Sequence, residues 1–210
     1  MRRRLLLALA IAFVATAIFP MPRTGQAAES IADAEAFIDR LAEQAIAALQ
    51  DESLDAEMRQ DVLTRLLDDS FALDSIGRWV LGRFRNGATA EQEAEYLRLF
   101  RLSVIEFMTA TLNRYSGEQL VITGALEDGP EGAMVVSRID QSGGRPFEII
   151  WRIRQTNNGL RIVDVLAGGL SLAKTRRDDY ASTIRRVNGD LDAFIDILRR
   201  QYETNATSGT

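Results

Sequence analysis

The chain of 210 residues has no cysteine and no histidine, and Lys174 is its single lysine. Without cysteine no disulfide can form, so the fold must hold by packing alone, even in a compartment that oxidises thiols. Zinc sites built on thiolates and imidazoles are excluded. So are Ser-His and Cys-His nucleophiles, which need an imidazole base. Gly82, Gly124 and the pair Gly168-Gly169 fit neither Gly-x-Gly-x-x-Gly nor a Walker pattern, so no phosphate-binding loop is present. Carboxylates, arginines and apolar surface are what remain to carry a function.

The start of the chain assigns a compartment. Arg2, Arg3 and Arg4 precede an apolar run, Leu5 to Phe19, that only Thr16 interrupts; Pro20 and Pro22 end it. Gly25-Gln26-Ala27-Ala28 then offers small residues to a peptidase. This is the pattern of a cleaved export signal, with the cut expected after Ala27 or Ala28. The run, about 15 residues, falls short of the roughly 20 that a membrane span needs. Residues 1–28 are therefore expected to be removed, leaving one domain over 29–203 and a small, polar, flexible tail over 204–210. The mature part is expected to work as a soluble protein outside the cytoplasm. The removed segment holds four arginines and no acid, which leaves 21 basic against 30 acidic residues, a net charge of −9. Such a balance argues against a nucleic-acid partner, which requires a basic face.

Hydrophobic spacing divides the mature chain into a helical front, a stranded middle and a helical end. Ser30 can cap a helix with Ile31, Phe37, Ile38, Leu41, Ala45, Ile46 and Leu49 at helical spacing. Asp55 begins a second, with Met58, Val62, Leu63, Leu66 and Leu67 inward, and Asp74 a short third that stops near Gly82. Thr89-Ala90-Glu91-Gln92 is a capping box for the longest helix, expected to run to about Tyr115. Its apolar residues, from Tyr96 to Leu112, are too many for one stripe, so it must be covered on two sides or line a cavity. Four strands are expected over Leu120–Leu126, Ala133–Asp140, Arg145–Thr156 and Leu160–Ala167, with turns at 127–132, Ser142-Gly143-Gly144 and Asn157-Asn158-Gly159. Two helices follow, Leu172–Val187, ended by Asn188-Gly189, and one capped by Asp190. The fold class is α+β: an antiparallel four-stranded meander with helices packed on one face.

Catalytic candidates are few. Asp68-Asp69 and Asp178-Asp179 are adjacent pairs, and adjacent helical residues do not face each other. Asp164 lies inside the apolar strand Ile162-Val163-Asp164-Val165, where a charge needs a partner; Arg177 or a backbone N–H is the expected one. It is also the sole candidate base for a rival reading, a small isomerase or dehydratase on a similar scaffold, which would need a buried carboxyl of raised pKa. Trp79, Phe100, Phe107 and Trp151 are read as ordinary core when taken alone.

The runs Val80-Leu81-Gly82-Arg83, Trp151-Arg152-Ile153-Arg154, Ile162-Val163-Asp164-Val165 and Gly169-Leu170-Ser171-Leu172, in this order, resemble the MlaC or toluene-tolerance family of periplasmic phospholipid carriers. Val80-Leu81-Gly82-Arg83 ends a run from Asp74 that matches the family's Val-Leu-Gly-Arg. Gln92, Tyr96, Phe100 and Leu112 match its aromatic-spaced long helix, and Trp151-Arg152-Ile153-Arg154 a Tyr-Arg-Leu-type strand. Ile162-Val163-Asp164-Val165 and Gly169-Leu170-Ser171-Leu172 resemble its Asp-Val…Gly-x-Ser-Leu signature, with Arg177 and Tyr180 in place beyond. The resemblance spans Leu73–Leu198; Arg85, Gly168 and Arg176 depart from the family's usual residues.

The resemblance implies an apolar lipid pocket between the sheet and the long helix. Ile76, Trp79, Val80, Leu97, Phe100, Val104, Val121, Val135, Ile149, Trp151, Val165 and Leu170 are the expected lipid-binding residues. It implies no catalysis, no metal and no cofactor, with phospholipid as cargo. It further implies a monomer that meets an inner-membrane ABC transporter complex and an outer-membrane lipoprotein complex, maintaining outer-membrane lipid asymmetry. A related group linked to hopanoid synthesis shares the architecture, so a hopanoid-associated carrier stands as the alternative cargo reading.

Overall fold

The computed structural model of the protein describes the backbone of residues 24–112, 114–140 and 146–208, and the side chains of 30–112, 114–140 and 146–203. The expected export signal, over 1–28, lies largely outside these residues, and the expected turn at 142–144 wholly so. Helices α1 (Thr24–Gln50), α2 (Ala56–Ser70), α3 (Leu73–Leu81) and α4 (Ala90–Leu112) come first. Strands β1 (Gln119–Glu127), β2 (Gly132–Asp140), β3 (Phe147–Thr156), β4 (Gly159–Ala167) and β5 (Leu170–Ser171) follow, then α5 (Leu172–Arg186) and α6 (Leu191–Ser208). The sheet is an antiparallel meander in the order β1-β2-β3-β4-β5. It has five strands rather than four. Gly168 and Gly169, both at positive φ, reverse the chain after β4, and a two-residue strand has no room to show alternation. Helix α6 runs to Ser208, into the segment expected as a flexible tail.

Local chemistry accounts for most element boundaries. Asp55 accepts from the Met58 N–H at 2.8 Å, capping α2. The capping box of α4 closes from both sides: Gln92 N–H donates to Thr89 Oγ1 and Thr89 N–H to Gln92 Oε1. Asn188 and Gly189 take the positive φ that ends α5, and Asp190 then accepts from the Ala193 N–H. Asp74 is not the cap of α3; that position is Ala72, and Asp74 sits in the first turn, where a carboxylate suits the positive helix end.

Two cores share α4. In the first, Ala34 and Ile38 of α1, Leu67 of α2 and Ile105 of α4 pack on Ala133, Val135, Ile153 and Ile162 of the sheet. In the second, Tyr96, Leu99 and Phe100 of α4 pack with Val80 and Leu81 of α3, Tyr180 and Ile184 of α5 and Phe194 of α6. This explains why α4 is apolar on two sides: it packs into both cores. Bulges at Ile122/Gly124 in β1 and opposite Arg152/Ile153 in β4 interrupt the regular register, each placing one extra residue in its strand. Among the described residues no helix is long and apolar enough to cross a membrane.

One tie between α4 and α6 is acid-sensitive. Glu95 accepts from Arg98 at 2.7 Å and from Arg199 at 3.0 Å, and these bonds hold its carboxyl down from 4.5 to about 2. A depressed folded-state pKa contributes stability above the unfolded value, lost as pH falls through the folded one. Glu95→Gln is expected to cost a few tenths to about 1 kcal/mol at pH 7. The difference from wild type should close as pH drops from about 4.5 to about 2, measured by thermal melts along that range. A difference that persists at the acid end would show that the loss is not ionic.

Candidate lipid-binding cavity

A cavity of about 400 Å³ opens between α1, α2, the last turn of α4 and the end of the sheet where β1 and β3 start. That volume lies in the range of small-molecule sites, about 300–1,000 Å³. Helix α1 supplies Ile38, Leu41, Ala42, Ala45, Ile46 and Leu49, and α2 supplies Leu63, Leu66 and Leu67. Phe71, Met108, Leu112, Leu120, Ile139, Ile149 and Trp151 complete the apolar wall. Spacings of three and four place the α1 and α2 residues on one helix face each. Ala42 and Ala45 bring only methyl groups to that wall.

The Trp151 indole is kept from adding a polar atom to this surface. Its Nε1–H donates to Ser137 Oγ at 2.9 Å, and that fully buried hydroxyl donates to the Ile149 carbonyl at 3.3 Å. Both polar groups are thus satisfied behind the wall. The polar lining residues are Thr111, Arg114, Tyr115 and Glu118, all from the end of α4 and the segment leading into β1. Glu118 accepts from the Ser116 hydroxyl and N–H at 2.6 and 2.7 Å, which holds its carboxyl below the usual range. A general base needs the opposite shift.

Of the residues expected to bind lipid, the structure brings Ile149 and Trp151 to the cavity. The others lie elsewhere, for identifiable reasons. Val135 is fully buried in the first core, with Ile76, Val104 and Val165 packed against that core. Val80 and Phe100 are buried in the second, and Leu97 packs on it. Val121 alternates with Leu120, a wall residue, and pairs with exposed Arg138, so it faces the other side of the sheet. Trp79 is 47% exposed and lies under the Arg177 guanidinium at 4.6 Å. Leu170, in the short strand β5, is 70% exposed. The cavity is thus walled by α1 and α2 rather than by the length of α4, which reaches it only at Met108, Thr111 and Leu112.

Sequence reasoning noted the α1 and α2 stripes but missed their role, because an apolar stripe reads alike whether it meets core or cavity. Asp164 has backbone and hydroxyl partners, not Arg177: it accepts from the Val165 and Ala173 N–H groups and from Ser171 Oγ. Ser171 in turn caps α5, so Asp164 pins that helix to β4. Its strand partner Arg152 shares its face, opposite the Trp151 face that looks into the cavity. It is therefore not placed to act on a molecule held there. Among the described residues no group of histidines, cysteines or carboxylates is arranged to hold a metal. Of the departures from the family pattern, Arg85 pairs with Glu93, Gly168 takes a positive φ, and Arg176 lies over the Tyr180 ring.

The toluene tolerance protein ttg2D of Pseudomonas putida is 23% identical over 137 residues, 65% of this chain and 64% of that protein, so the match spans just under two thirds of the relative. The structure of a phospholipid-binding protein from Ralstonia solanacearum, solved in complex with a phospholipid, superposes with a TM-score of 0.71 at 19% identity. That similarity covers 82% of this chain and 98% of the other. The sequence model of the MlaC protein family matches residues 39–200, a stretch that takes in α2 and the cavity-lining turns of α1 beyond the region where the motifs are legible. With more than half its length matched, and with the antiparallel sheet and helices found as expected, this chain belongs to the MlaC family.

Proposed function

We propose that this protein is a phospholipid carrier of the periplasm, shuttling single lipids between an inner-membrane ABC-type transport complex and an outer-membrane lipoprotein complex. By that route it helps to maintain the lipid asymmetry of the outer membrane. The carrying observation is the cavity, whose lining is apolar except along one short stretch. An amphiphile fits such a surface with its chains inside and its polar end at that stretch. The phospholipid in the related Ralstonia structure and the export signal expected at the N-terminus support the same reading.

Magnitudes make a carrier of this kind work by exchange rather than release. Two acyl chains carry about 30 methylenes, each worth roughly 0.8 kcal/mol when removed from water. Release into water is therefore out of reach, whereas transfer to another apolar site is nearly balanced. Phospholipid is then cargo rather than cofactor, and no residue has a catalytic task. Native mass spectrometry of the protein, expressed with its own N-terminus and purified from the periplasmic fraction without detergent, tests the reading. A mass increment of phospholipid size on each chain is expected. Uniformly bare protein would overturn the proposal.

A further inference from the structure

The cavity's polar groups are few and close together, and two of the four are charged. Thr111, Arg114, Tyr115 and Glu118 fall within one segment, and the remaining lining is apolar. Arg114 and Thr111 are exposed while Tyr115 and Glu118 are half-buried, which makes this segment the rim of the cavity rather than its depth. The segment is held by its backbone: the Arg114 N–H donates to the Thr111 carbonyl and the Tyr115 N–H to the Leu112 carbonyl. Ser116 holds the Glu118 carboxylate in place through two hydrogen bonds and keeps it ionised. The guanidinium of Arg114 has no ion-pair partner among the described residues, unlike those of Arg78, Arg85, Arg98, Arg101 and Arg199.

One fixed anion and one uncommitted cation at the rim of an apolar cavity are complementary to a zwitterion. We propose that Arg114 and Glu118 select the headgroup, Arg114 donating to the lipid phosphate and Glu118 accepting from a primary ammonium beyond it. The preferred cargo is then a phospholipid with an ethanolamine-type headgroup, an assignment that rests on the carrier reading above. A guanidinium is suited to a phosphodiester because it offers paired donors. It also offsets the partial negative charge at the C-terminal end of α4, which would otherwise repel a phosphate there. A glycerol headgroup brings no cation to Glu118 and leaves the phosphate's negative charge near it. A quaternary choline has no N–H to donate.

Competition between headgroups isolates this effect from overall affinity. The protein is incubated with vesicles of equal phosphatidylethanolamine and phosphatidylglycerol, separated from them, and its lipids are quantified by mass spectrometry. Wild type is expected to be enriched in phosphatidylethanolamine by about two- to fivefold, the effect of one charge-assisted contact at a partly exposed rim. Glu118→Gln keeps an oxygen for Ser116 but loses the charge, and its ratio is expected to fall to about one. Arg114→Gln loses a contact common to both lipids, so enrichment is expected to persist at reduced loading. A wild-type ratio of one, or an unchanged ratio in Glu118→Gln, overturns the headgroup assignment while leaving the carrier intact. A wild-type protein that takes up neither lipid overturns the carrier reading itself.

Discussion

Ala45→Trp is expected to empty the protein of lipid while leaving it folded. Ala45 lies on the α1 face that walls the cavity, half-buried and without bulk of its own. An indole placed there occupies space that acyl methylenes would fill. Each methylene kept out forfeits roughly 0.8 kcal/mol, so two already reduce affinity about tenfold. The indole displaces more than two, and lipid recovered with detergent-free protein should drop by more than tenfold. Folding should tolerate the change, because the side chain enters open space rather than packed core, where the same insertion would cost about 1–3 kcal/mol. Val121→Trp is the informative comparison. Val121 is a residue the family resemblance implies for lipid, but it faces the other side of the sheet. Its substitution should leave lipid content at the wild-type level. If Ala45→Trp retained a full complement of lipid, or Val121→Trp lost it, the chains would have to lie somewhere other than this cavity.

Phe194→Ala is expected to have the largest effect on stability and little on binding. Phe194 is fully buried on α6, its ring 5.1 Å from that of Tyr180 in an edge-on arrangement and 6.3 Å from that of Tyr96. Truncation removes the aromatic contacts and leaves a void, at a cost of about 3–5 kcal/mol. Against a total stability of order 5–15 kcal/mol, that is a large fraction. For a domain of this size it lowers Tm by roughly 6–20 °C. The second core has no residue in the cavity wall, so lipid per folded molecule should match wild type. Thermal melts read the first quantity and lipid analysis of the folded fraction the second. A normal Tm would mean that α6 does not stabilise the domain through this core, and a loss of lipid would mean that the two cores are coupled through α4.

The contrast between these two variants follows from what each level of structure decides. Hydrophobic spacing, the Thr89/Gln92 box, the Asp55 and Asp190 caps and the Asn188-Gly189 stop determine where helices begin and end, because each acts between residues close in the chain. Turn residues between alternating runs likewise determine the meander, and the class follows from one greasy sheet face that needs a cover. Sequence spacing also showed that α4 is apolar on two sides, but not what lies on either side. The family resemblance implied Ile149, Trp151, Val80, Val135 and Phe100 alike; the first two line the cavity, whereas the other three carry the same kind of side chain into solid core. The walls of α1 and α2, and the rim at Arg114 and Glu118, were settled only when distant segments came together. Periodicity says which face of an element turns away from water. Whether that face meets another at packing distance or across a gap depends on the separation of surfaces far apart in the chain, and that is a property of the tertiary structure alone.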